Sequence, residues 1–271
     1  MITLYRPSGY DSPRASSFAG RSVDDKPLDA ENGSSFKEID TRRVFRYDKE
    51  NNLWIEQKST TGGAGATEPY IEETYDADGN LIGAKMYGYT KVRDYAFGNC
   101  TNLALTSLPA GVTSIGIEAF INCTNLALTS LPEGLTSIGD GAFTGCSNLA
   151  LTSLPAGVTS IGIEAFAGCS NLALTSLPAG VTSIGNSAFA GCSNLALTSL
   201  PAGVTSIGNS AFYGCTSLTS ITFKGTPNAI AANAFNGCTN LTDIKVPWAE
   251  GAVANAPWGA TNATITYNYT E

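Results

Sequence analysis

Cysteines at positions 100, 123, 146, 169, 192, 215 and 238 are the most reactive side chains in this sequence of 271 residues, and each follows the last by 23. A thiol can ligate metal, form a disulfide or attack a substrate, but each of those roles needs partners at close range. No two cysteines have the short spacing of a zinc or redox motif, and the chain contains no histidine. Stacked coils lie ~4.8 Å apart with their side chains parallel, so equivalent cysteines do not point at one another. The thiols are therefore read as reduced, buried and apolar in behaviour. Without histidine, Ser-His-Asp and Cys-His nucleophile arrangements are excluded.

Carboxylates offer little more. Glu118 and Glu164 occupy equivalent places two repeats apart, a separation of ~10 Å that is too wide for a retaining glycosidase and at the edge for an inverting one. Asp76, Asp78 and Asn80 imitate the start of a calcium loop, but Leu81 stands where that loop needs Gly and Tyr87 where it needs Glu. A turn is the expectation there. The run STTGGAGAT (59–67) lacks the Lys-Ser/Thr of a phosphate loop and has the composition of a flexible joint. The sequence thus predicts no catalytic residue, no metal site and no cofactor.

Binding candidates are the hydroxyls that recur with the same period. Thr106, Thr129, Thr152, Thr175 and Thr198 form one column, and Ser107, Ser130, Ser153, Ser176 and Ser199 stand beside it. Such rows can hydrogen-bond a sugar or a protein backbone. An ice-binding face would want threonines at i and i+2, whereas neighbouring Thr and Ser in an extended chain face opposite ways.

Charge narrows the partners. The net charge is −8, and 13 of the 15 Lys and Arg precede Cys100. No basic cluster remains to meet phosphates, which argues against nucleic acid and anionic membrane surfaces. No stretch of about 18 apolar residues exists to span a bilayer, and the first residues, MITLYRPSGYDSPR, lack the basic start and apolar run of a secretory signal.

The elements that must position these residues follow from the period. A strict repeat of this length means one supersecondary unit stacked on itself, a solenoid. Within the unit Cys100, Leu103, Leu105, Leu108, Val112, Ile115, Ala119 and Phe120 are apolar. LALTSL reads as a short strand broken by Pro109 and Gly111, VTSIG as a second extended piece, and IEAFIN as a helical turn or less. Burial of each Leu, Ile or Phe is worth roughly 1.5–3 kcal/mol, enough to explain the ladders as core. The opposite parity of Leu105 and Leu108 leaves the inward set incomplete.

The predicted fold class is mostly β with short helical turns: a solenoid of 23-residue coils with a small N-terminal β module and a C-terminal cap. Residues 1–60 hold an irregular arm to about residue 35 and then strands around a turn at Lys49–Asn52, with the arm docking to an assembly. Residues 61–67 form a linker, 68–99 a hairpin and N-terminal cap, 100–237 the solenoid and 238–271 the other cap, with Trp248 and Trp258 as its large covers.

The repeated pattern LxxLPxGVTSIGxxAFxGCxxL, over roughly residues 86–245, resembles the BspA-like, or Treponema-type, leucine-rich repeat. That resemblance implies a leucine-rich-repeat fold without general catalytic residues, and an adhesive or host-interaction role on bacterial surfaces. Residues 20–57, GRSVDDKPLDAENGSSFKEIDTRRVFRYDKENNLWIEQ, are similar to short modules of bacteriophage structural proteins. This second likeness, taken with the missing secretory signal and the N-terminal arm, implies a non-enzymatic virion structural or receptor-recognition protein. Its partners would be other virion proteins or a second copy through the N-terminal arm, and a host-surface protein or glycan. The alternative is a bacterial cell-surface adhesin binding host protein or glycan.

Overall fold

The computed structural model describes residues 69–270 and, within residues 1–68, the backbone of five short strands. The chain divides into two compact units, Met1–Ala66 and Thr67–Glu271. The first carries a sheet in the order β1 (Thr3–Tyr5), β2 (Ser17–Gly20), β3 (Ser35–Glu38), β4 (Val44–Asp48) and β5 (Leu53–Glu56). β2 and β3 run parallel and the other neighbours antiparallel. β4 and β5 flank the expected turn at residues 49–52. β1 and β2 fall in the stretch read as an irregular arm, because strands this short are decided by their pairing partners rather than by a local pattern. The docking role expected of residues 1–60 lies outside the described residues.

The second unit opens on a hairpin, β6 (Tyr70–Tyr75) and β7 (Leu81–Tyr87), turning through Asp76–Asn80. β7 covers the first coil: the N–H of Ala104 donates to the carbonyl of Ile82 at 2.9 Å, and Leu81, Ala84 and Met86 are buried. The segment YTKVRD then supplies β8 (Lys91–Val92), and the following VTSIG or LTSIG segments β9 (Ser114–Ile115), β10 (Ser137–Ile138), β11 (Ser160–Ile161) and β12 (Ser183–Ile184). From there strands alternate between two sheets. β13 (Ser199–Leu200), β15 (Ser220–Phe223), β17 (Asp243–Lys245) and β18 (Thr264–Thr266) lie on one, β14 (Ser206–Ile207) and β16 (Ala229–Ile230) on the other. Pairing is parallel with a register of 23, as in Ile161↔Ile184↔Ile207↔Ile230, and shortens to 21 between β17 and β18. Each coil therefore sets its side chains directly over those of the last, and the buried Leu, Val, Ile, Ala, Phe and Cys merge into one continuous core.

LALTSL departs from the expected strand in the early coils. Leu105 and Leu108 are both buried and Thr106 and Ser107 between them are both exposed, so the alternation a strand requires is broken. Contact between coils there includes the N–H of Ala127 donating to Leu105 at 3.2 Å and that of Ala150 to Leu128 at 3.3 Å. Where the pattern changes to Leu218, Ile221 and Phe223, alternation returns and β15 forms with Ser220 and Thr222 half-buried and Ile221 and Phe223 buried. The parity that the sequence leaves unresolved is thus a two-residue outward step in the chain.

Among the described residues there is no helix. The IEAFIN stretch is a run of turns in which alternate N–H groups do different jobs. The N–H of Phe120 donates to Ala142 of the next coil at 2.8 Å, while that of Cys123 closes back on Phe120 at 3.1 Å. The turn needs left-handed backbone just before each Cys (φ 56° at Asn122, 74° at Gly145), which explains why that place holds Asn or Gly. Inside it the phenylalanines stack with centroids 5.0–5.6 Å apart, from Phe97 to Phe235. Phe235 then donates its N–H to Trp258 at 2.9 Å. With Trp248 and Trp258 buried against Phe223, residues after Cys238 close the stack.

Candidate functional site

The structure brings the predicted hydroxyls together as neighbouring columns on one side of the solenoid. Thr106, Thr129, Thr152, Thr175 and Thr198 are exposed, as are Ser107, Ser130, Ser153 and Ser176, with Ser199 half-buried in β13. The expectation that each Thr-Ser pair faces opposite ways fails for the first four pairs, both members of which are exposed, for the reason given above: the alternation of a strand is broken there. The VTSIG threonines behave differently. Thr113, Thr136, Thr182 and Thr205 donate their hydroxyls to the threonine carbonyl one coil back, at 3.1, 3.2, 3.3 and 3.0 Å. Those groups are committed to the stack, whereas none of the ten candidate hydroxyls makes a side-chain hydrogen bond among the described residues. Between Arg93 and Lys224 the only charged residues are Asp94, Glu118, Glu133, Asp140 and Glu164, so the hydroxyl columns carry no charge.

The buried thiols and Asp76 serve the fold. All seven cysteines are free, and those from Cys123 onward are buried. Each buried thiol donates to a phenylalanine carbonyl one coil back, at 2.9–3.1 Å from Cys123 to Cys238. Desolvation pushes the thiols of Cys146 and Cys192 up to about 12 and that of Cys238 to about 11, which removes the thiolate needed for attack or metal ligation. Asp76 spends its carboxylate on the turn, accepting the N–H groups of Asp78 and Asn80 and the Asn80 amide at 3.0, 2.8 and 2.9 Å. The Asn80 hydrogen bonds hold its carboxyl below the usual range. Glu118 is half-buried with its chain over Gly141, and Glu164 is exposed.

The sequence reading missed the Phe-turn edge. Ile117 and Ile163 do not belong to the recurring apolar set, and they are 42% and 46% exposed. Beneath each, an Asp of the preceding coil accepts its N–H: Asp94 Oδ1 from Ile117 and Asp140 Oδ1 from Ile163, both at 2.8 Å. Asn186 does the same for Asn209 at 2.8 Å. The signal was an alternation repeating every 46 residues, Asp94–Ile117–Asp140–Ile163, lying on top of the 23-residue period.

A family model described as the BspA type leucine rich repeat region matches in six copies, over residues 90–198 and 159–252. The chain belongs to this family. BspA-type repeats thus account for the solenoid from β8 to β17. No curated protein matches the chain significantly. Among solved structures, the Treponema pallidum leucine-rich repeat protein is 29% identical, with 63% of this chain and 87% of that one covered and a TM-score of 0.49. A leucine-rich repeat protein from Bacteroides ovatus is 21% identical over 72% and 75% of the two chains, with a TM-score of 0.37. A leucine-rich cell surface protein from Faecalibacterium prausnitzii is 21% identical over 91% and 96%, with a TM-score of 0.27.

Proposed function

We propose that this BspA-type repeat protein is a non-enzymatic recognition scaffold displayed at a bacterial cell surface, where its hydroxyl columns bind host protein or glycan. The observation that carries this reading is the division of labour between hydroxyls. One set is locked into coil-to-coil bonds and the other is presented outward, uncharged and repeated at ~4.8 Å per coil. A row of donors and acceptors with no neighbouring charge suits neutral hydroxyl-rich ligands, and repetition lets weak contacts add by avidity. The virion reading rests on the likeness of residues 20–57, whose side chains lie outside the described residues, so the solenoid lends it no support.

The test applies the full chain to arrays of immobilised neutral glycans and animal cell-surface proteins. Saturable binding that changes little between 50 and 500 mM salt, and that weakens at least tenfold in Thr129→Val/Thr152→Val/Thr175→Val, is the expected result. No saturable binding to any member of either array would overturn the reading.

A further inference from the structure

The coils beginning at Cys100, Cys123, Cys146, Cys169 and Cys192 are near copies, and their differences are unevenly placed. The Thr106, Ser107 and Thr113 columns, exposed except at Ser199, are identical in all five. Away from the Phe turn, exchanges are confined to Glu133 for Ala, Leu135 for Val and Thr for Ser after the cysteine. On the turn the pair at 117–118 is Ile-Glu, at 140–141 Asp-Gly, at 163–164 Ile-Glu, and at 186–187 and 209–210 Asn-Ser. The position at 121, 144, 167, 190 and 213 runs Ile, Thr, Ala, Ala, Tyr, and Tyr213 is 50% exposed. Exposure alone does not account for this, since the constant Thr106 and Thr113 columns are exposed in all five coils.

We propose that the edge formed by Ile117, Glu118, Asp140, Ile163 and Glu164 is a second docking surface, whose occupant is an amphipathic basic helix of a partner protein. This rests on the reading of the chain as a recognition scaffold and adds a partner to it. Two exposed isoleucines on the same column gain by being covered, and nothing in the coil requires them, because Asn stands in the same place at 186 and 209. They lie two coils apart, ~10 Å along the axis, and residues i and i+7 of a helix repeat at ~10.5 Å on one face. The flanking carboxylates of Glu118, Asp140 and Glu164 have no Lys or Arg between Arg93 and Lys224 to answer them. Charge complementarity therefore asks for Lys or Arg beside the partner's aliphatic side chains. The Asp94 and Asp140 bonds hold the backbone under both isoleucines, so the surface is preformed.

The chain supplies its own control substitution. Ile117→Asn/Glu118→Ser/Ile163→Asn/Glu164→Ser installs the pair already present at 186–187 and 209–210, where Ser187 and Ser210 adopt the left-handed φ of Glu118 and Glu164. Binding of a synthetic 15-residue Leu/Lys amphipathic helix to the full chain is measured, with a Leu/Glu helix as control. The parent is expected to bind the Leu/Lys helix alone. The fourfold variant, matched to the parent in thermal midpoint, is expected to lose at least tenfold in affinity, and the Thr129→Val/Thr152→Val/Thr175→Val variant less than twofold. Equal binding by the fourfold variant, or none by the parent, overturns the proposal. Helix binding by the parent without attachment to either array overturns the hydroxyl-face reading and supports this one. Array attachment that survives the fourfold substitution, with helix binding unchanged, does the reverse.

Discussion

The thiol of Cys146 donates to the carbonyl of Phe120, 3.0 Å away and one coil back, and the same carbonyl accepts the N–H of Cys123 at 3.1 Å. Both lone pairs of a buried carbonyl are thereby used, one within the coil and one between coils. Repeated from Cys123 to Cys238, the pairing ties each aromatic turn to the next, which gives the 23-residue spacing of Phe and Cys its physical reason. A buried polar atom left unpaired at this point would cost about 1–3 kcal/mol.

Stability should fall in alkali. An unfolded thiol titrates near ~8.5, while burial raises Cys146 and Cys192 to about 12 and Cys238 to about 11. Above the unfolded value the unfolded chain releases protons that the folded chain keeps. The stabilisation is thus complete below ~8.5 and lost as pH climbs toward 11–12, by up to ~1.4 kcal/mol per pH unit for each thiol. Urea midpoints under reducing conditions should drop from pH 8.5 to 10.5, and less steeply in Cys146→Ala/Cys192→Ala. A flat profile to pH 10.5 would contradict the burial of protonated thiols.

Gly185 and Gly134 should respond in opposite ways to alanine. A Cβ at Gly185 would come within 2.7 Å of backbone atoms of Gly162 and Ile163, whereas at Gly134 the nearest atom is 4.0 Å away. Gly185→Ala must push neighbouring coils apart, at a cost of about 1–3 kcal/mol or more. Gly134→Ala restricts only the unfolded chain and should be neutral or stabilise by ~0.4–1 kcal/mol. Differential scanning calorimetry of the two variants would separate them by several degrees, and similar midpoints would deny the close coil approach.

Asp140→Asn should be almost silent and Asp140→Ala should not. Asp140 Oδ1 takes the N–H of Ile163, and Asn186 performs the same task for Asn209 at the same 2.8 Å. Loss of the acceptor leaves one N–H to water at a cost of about 0.5–1.5 kcal/mol. Equilibrium denaturation that ranks Asn with Ala would show that charge, not the hydrogen bond, matters there.

The period of 23 made the solenoid legible, since in-register stacking leaves the same residue type in the same place in every coil. Cys, Phe, Val and Ile could be assigned inward because each recurs at a buried position. Leu105 and Leu108 could not, because the alternation rule presumes an extended backbone and the Thr106-Ser107 step is not one. Ile117 and Ile163 were passed over for another reason: they lie outside the recurring apolar set, and their alternation with Asp94 and Asp140 breaks the 23-residue identity that marks the core, while their exposure of 42% and 46% is visible only in the structure. The β1 and β2 strands depend on pairing with distant residues, which composition does not carry.

The two tryptophans of the C-terminal cap should differ although both pack on Phe223. Trp258 is fully buried and its Nε1–H donates to Ala254 at 2.7 Å. Trp248 is also buried, but its Nε1–H has no acceptor among the described residues. Trp258→Phe sacrifices both volume and a satisfied bond, at a cost of about 2–4 kcal/mol. Trp248→Phe opens a comparable void but removes an unpaired donor whose burial itself costs about 1–3 kcal/mol, so the effects oppose. Urea unfolding should therefore place Trp248→Phe within ~1 kcal/mol of the parent on that balance. Equal losses in the two variants would mean that the Trp248 indole has a partner, and that the cap is closed by that bond rather than by apolar cover alone.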